Sequence, residues 1–185
     1  MELRDIITML RAHWVGIAVL AVLGALVAGA ASLSSVPEYR TFNTVLVAVQ
    51  AGETISDLNQ GSSFVSREVK TYAEVARSPI VLEPVVQKLG LRTSARGLRG
   101  DVTTTVKGET KLIDITVTRP DAREAAEIAD AVAAELATAV ELLSPDRVDG
   151  SPSVLVSSIA PAAVPREPFS PNIPRDVALG TVLGL

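Results

Sequence analysis

Between Trp14 and Leu33 the sequence WVGIAVLAVLGALVAGAASL runs for twenty residues without a charge. At about 1.5 Å per residue a helix of this length matches the roughly 30 Å hydrocarbon core of a bilayer, and no other stretch limits the fold as severely. The run is read as a transmembrane helix over 14–33. Trp14 suits its headgroup end. Residues 1–13 form an amphipathic lead-in at the membrane surface, with Leu3, Ile6, Ile7 and Leu10 at helical spacing and Glu2, Arg4, Asp5 and Arg11 opposite. Arg11 is the basic residue nearest the span, which places the N-terminus in the cytoplasm by the positive-inside tendency. Ala21, Ala25 and Gly29 lie four apart on one face. That face admits close approach of another transmembrane helix, or is ordinary Ala-rich lipid contact. A second reading of the run is a cleaved signal peptide ending near Ala28-Gly29-Ala30. Its length beyond about 7–15 apolar residues and the two acids ahead of it oppose that reading.

The other end, residues 177–185, is wholly apolar and covers about 14 Å, less than half a bilayer. It reads as the start of a second, truncated span, with the natural protein continuing past Leu185. Gly180 and Gly184 form a G-x-x-x-G pattern that permits close helix packing and also arises by chance in Gly-rich spans. Two spans would make a multi-pass protein whose residues 36–160 form one extracytoplasmic domain.

That domain reads as an α+β fold, a small, mainly antiparallel sheet with helices on one face and one long helix, flanked by the two transmembrane helices. Tyr39 to Gln50 is rich in β-branched and aromatic residues and reads as a strand buried on both faces. Glu53 to Ser63 is a polar loop. Phe64, Val65, Val69, Tyr72, Ala73 and Ala76 keep a helical period. Ser78-Pro79 then supplies an N-cap and first-turn proline for a helix that stops at Gly90, with a kink expected at Pro84. Val102–Val106 and Leu112–Val117 make a hairpin around Lys107 to Thr110. Asp121 and Glu124 begin a capping-box-like helix whose stripe is Ala125, Ile128, Ala129, Val132, Leu136, Val140 and Leu143. A last strand spans Ser153 to Ile159. Five prolines between 161 and 174 at a spacing near three residues give residues 161–175 the character of a stiff polyproline-like connector that does not pair in a sheet. A recognition tail for an SH3-like partner is the other reading of that segment.

Composition removes much chemistry. Hydrophobic residues make up 48% but aromatics only 3%, the mark of membrane and Ala/Val-rich segments rather than of an aromatic-anchored core. A net charge of −4 argues against nucleic-acid binding. With no Cys, disulfides, thiolate metal sites and cysteine nucleophiles are excluded. The only His, His13, flanks the first span, on the far side of the membrane from the domain, which removes a His-based triad. No P-loop motif occurs. Residues 90–100, with Arg92, Arg96 and Arg99 beside Gly97 and Gly100, read as a basic loop, alternatively a site for a phosphate or anionic sugar. Glu124, Glu127, Asp130, Glu135 and Glu141 read as a solvated helix face, alternatively as a source of a glycoside-cleaving carboxylate pair. From Lys88 to Arg119 there are seven basic and three acidic residues, and from Pro120 to Asp149 two basic and eight acidic. These blocks meet across a subunit interface in a ring of copies, or neutralise each other within one fold, which adjacency of hairpin and helix favours. Catalytic, cofactor-binding and metal-binding residues are therefore expected to be absent, and no cofactor is expected.

The lead-in MELRDIITMLRAHW, the first span, the strand YRTFNTVLVAVQ, the stretches Val69 to Pro79 and Leu112 to Ala129, and the proline motif PREPFSP (Pro165, Pro168, Ser170, Pro171) ahead of Gly180-x-x-x-Gly184 resemble the polysaccharide chain-length determinant, or co-polymerase, family. The resemblance covers essentially the whole chain. It implies a homo-oligomer in the plasma membrane, working with a lipid-linked glycan polymerase and export machinery to set the length of a capsular or exopolysaccharide, non-enzymatic in this portion. Ser56 to Gly61 and the Ala/Val/Arg-rich usage resemble the branch in which a cytoplasmic tyrosine autokinase follows the second span or is a separate chain. The alternative function is thus the sensor or activator half of such a kinase. A third is a secreted glycan-binding module behind a cleaved signal.

Overall fold

A computed structural model of the chain describes residues 14–49, 69–108, 110–144 and 154–184. The lead-in with His13, the loop from Glu53 to Ser63, the start of the helix expected from Phe64 and the loop from Asp146 to Pro152 lie outside the described residues. The described residues fall into two compact units, 14–38 with 168–184, and Tyr39–Glu167.

The second unit is α+β. Strands β1 (Tyr39–Val49), β2 (Val102–Val106), β3 (Leu112–Arg119) and β4 (Val154–Ala160) form one antiparallel sheet in the order β2-β3-β1-β4. The strand that leads the unit in sequence therefore lies in its interior, where β-branched Val45 and Val47 are fully buried. Strand β1 buries one face and, on the other, Thr44, whose hydroxyl donates to Asp114 Oδ1 at 2.6 Å. Thr41, Asn43, Val45 and Val47 point into the core, while Arg40 and Phe42 are exposed. Its residues on both faces are of strand-favouring types, so sidedness is set by which face the helices cover. Across the ladder Val45 opposes Ile113 and Asn43 opposes Ile115, and these buried isoleucines alternate with Asp114 and Thr116 as the sequence predicts. The β1–β4 register shifts between Thr44 and Val45.

One sheet face is covered by the 22-residue helix α4 (Ala122–Leu143), with α2 (Pro79–Leu89) packed against it and residues 69–75 also helical. The stripe of α4 holds from Ala125 to Val140, all buried, but Leu143 at its end is exposed. Asp121 Oδ1 accepts the Arg123 and Glu124 amides, each at 2.8 Å, satisfying two orphan donors of the first turn. Glu124 does not complete a capping box. Its carboxylate instead accepts Arg119 Nη2 at 2.9 Å. Helix α2 runs unbroken through Pro84 to Gly90, whose φ of 61° needs the freedom of glycine. Ser78 precedes it in extended conformation, but its hydroxyl donates to Val75 O rather than capping the helix.

Two further expectations are corrected. The basic stretch is not wholly loop, because Ser94 caps a short helix, α3 (Ala95–Asp101), by accepting the Gly97 amide. The acids of α4 are not all solvated. Glu135 is buried against Lys88, Glu124 is held by Arg119, and Asp130 Oδ1 accepts both Asn43 Nδ2 at 2.7 Å and the Ala162 amide at 2.8 Å. The segregated charge blocks thus meet at least partly inside one chain. Arg119 bridges Asp101 and Glu124, while Lys88 ties α2 to α4.

Candidate functional site

The first unit is built on α1 (Trp14–Ser34) and α5 (Ile173–Leu183). Helix α1 is the one helix among the described residues that is long and apolar enough to cross a membrane, and most of its large side chains are exposed. Helix α5 has 11 residues. Asn172 caps it, its Oδ1 accepting the Arg175 amide at 3.3 Å, and Pro174 occupies the first turn, where its missing donor costs nothing. Helix α5 therefore starts within the proline-rich stretch. The prolines also do not keep that stretch free of strand pairing: Glu38 N donates to Ser170 O at 2.8 Å and Glu38 O accepts Phe169 N at 2.7 Å, an isolated antiparallel bridge. The Ser170–Pro171 peptide is cis.

The two helices pack antiparallel. Gly184 lies against Leu20 and Ala21, Gly180 against Gly24 and Ala28, Gly29 near Val177, and Ser32 Oγ donates to Asp176 Oδ2 at 2.8 Å. The contact is backbone on backbone. A methyl group at Gly24 would run into Gly180 O, one at Gly180 into Gly24 O and the Ala28 side chain, and one at Gly184 into Leu20 O. Without such small residues the two helices could not approach this closely. The Ser32–Asp176 bond, with Ser32 only 5% exposed, fixes the register at one end. Asp176 also sits in the first turn of α5, where the helix dipole favours a negative charge.

Of the residues singled out from the sequence, Ala21, Gly29, Gly180 and Gly184 meet in this seam, and Ala25 is half-buried beside it. Trp14 is 65% exposed at the start of α1. Pro168, Ser170 and Pro171 belong to the helix-pair unit and Pro165 to the sheet unit. Gly24, Ala28, Ser32 and Asp176 were missed. The three-residue step from Ala21 to Gly24 and the acid just ahead of the apolar residues 177–185 were the available signals. Among the described residues no cluster of His, Cys, Asp and Glu is placed to hold a metal.

The chain thus comprises a unit with one helix long and apolar enough to cross a membrane, packed on a glycine-bearing partner helix, and a second, α+β unit, the make-up of a membrane-associated class of protein. The chain belongs to the Wzz chain length determinant family. The family model matches residues 1–89. The capsular polysaccharide biosynthesis protein CpsC of Streptococcus pneumoniae is 30% identical over 190 residues, covering 98% of this chain and 78% of that protein. The uncharacterised protein YveK of Bacillus subtilis (strain 168) is 32% identical over 97 residues, 51% of this chain and 40% of that relative.

Proposed function

We propose that this chain is a two-pass membrane scaffold that sets the length of a cell-surface polysaccharide. The observation that carries the reading is the similarity to a capsular polysaccharide biosynthesis protein over 98% of the chain, within a family described as chain length determinants. The antiparallel order of α1 and α5 supports the topology. If α1 leads the chain out of the cytoplasm, α5 leads it back, and the sheet unit lies on the outer side. Copies assemble into a homo-oligomer beside the polymerase and export machinery, and the chain's own role is to organise that machinery rather than to catalyse a step. The α5 helix belongs to the second span, and a tyrosine kinase on the cytoplasmic side is a regulator of the assembly.

Deleting the chain from its native cell is expected to leave polymer synthesis active but to replace a narrow range of glycan lengths with a broad one on a sizing gel. Restoring the chain brings the narrow range back. A length profile identical with and without the chain overturns the reading.

A further inference from the structure

The left-handed turn at Gly90 swings the chain away from α2 and leaves a cleft of about 610 Å³ between the loop after that helix and the first half of α4. Its lining includes Leu91, Arg92, Thr93, Arg119, Glu124 and Glu127. The volume lies within the roughly 300–1,000 Å³ usual for small-ligand sites. One wall is preorganised. The Arg119 guanidinium is held by Asp101 at 2.8 Å and by Glu124 at 2.9 Å, and its side chain is only 18% exposed. The other polar groups are open. Arg92 and Glu127 are exposed, and among the described residues neither has a hydrogen-bond or ion-pair partner.

We propose that this cleft binds a neutral sugar ring of the polysaccharide, a site that rests on the polysaccharide reading above but does not involve the helix pair. The chemistry of the lining selects the ligand. Arg92 offers only donors and Glu127 only acceptors, so full use of both requires a ligand that can accept at one edge and donate at another. A sugar hydroxyl does both, and hydrogen bonds to ionised groups are the stronger kind. An anion such as phosphate or a hexuronate would meet the carboxylates of Glu124 and Glu127. A cation would meet two guanidinia. Leu91 gives the apolar C–H face of a pyranose a surface to cover. The sequence-based anionic-sugar reading of residues 90–100 is thereby changed, because α4 brings acids to the same cleft.

The test uses the full chain in lipid nanodiscs and saturation-transfer NMR with three probes: a neutral hexose hexamer, an oligogalacturonate and inorganic phosphate. The neutral hexamer is expected to bind, and both Arg92→Ala and Glu127→Ala to reduce its transfer signal at least fivefold, with Glu127→Gln retaining most of it because the carboxamide oxygen still accepts. Both side chains are exposed, so the variants stay folded, which circular dichroism verifies. Absence of hexamer binding, stronger binding of either anion, or unchanged binding in both alanine variants overturns the site. None of those results touches the length reading, which is decided by the gel profile of cells lacking the chain.

Discussion

Gly180→Leu is expected to separate α1 from α5. Gly180 faces Gly24 O and the Ala28 side chain so closely that no Cβ fits without movement of backbone, and backbone cannot yield as a flexible side chain does. Overpacking a well-fitted contact costs about 1–3 kcal/mol even where side chains can adjust. Here the loss extends along the whole seam, since the Leu20–Gly184 and Ser32–Asp176 contacts depend on the same close approach. The chain has no Cys, so a Ser32→Cys, Asp176→Cys pair gives an unambiguous reporter: it crosslinks when the helices are packed. Adding Gly180→Leu should reduce the crosslinked fraction at least tenfold. Gly16→Leu, at a glycine with nothing within 4 Å of an added Cβ, should leave it unchanged.

The second large effect lies in the sheet unit. Leu136 is fully buried on the face of α4 that covers the sheet. Leu136→Ala removes that contact and leaves a cavity that the surrounding strands only partly close, a loss of about 2–5 kcal/mol. For a unit of this size that corresponds to a fall in Tm of about 10–20 °C. Leu142→Ala, on the same helix but at a residue 79% exposed, should stay within about 0.5 kcal/mol of the parent. Thermal melts of the two variants in the same detergent separate the outcomes.

Periodicity made the sheet and α4 legible because each has one buried face. Ile113 and Ile115 alternate with polar residues, and the α4 stripe repeats every three or four residues as far as Val140. What was hidden depended on distant partners. Strand β1 has strand-favouring side chains on both faces, so only the position of α4 decides that Val45 is buried and Phe42 is not. Helix α3 contains Gly97 and Gly100, whose low helix propensity conceals a turn that the Ser94 cap nonetheless starts. Glu135 looked like a surface acid, since nothing local announces that Lys88, 47 residues earlier, reaches it. In the helix pair Gly180 and Gly184 stood out as a pattern. Their actual seam on α1 is Ala21, Gly24 and Ala28, because an antiparallel crossing selects a face that four-residue spacing alone does not specify.

A scaffold that acts on the glycan outside the cell needs its sheet unit on the outer side of the membrane. Thr103 is exposed on the sheet, and Thr103→Cys would be the chain's only thiol. In cells stripped of their outer wall but with the membrane intact, a membrane-impermeant maleimide is expected to label it fully. Labelling that appears only after the membrane is opened would place the unit in the cytoplasm and contradict a scaffold acting on the glycan outside.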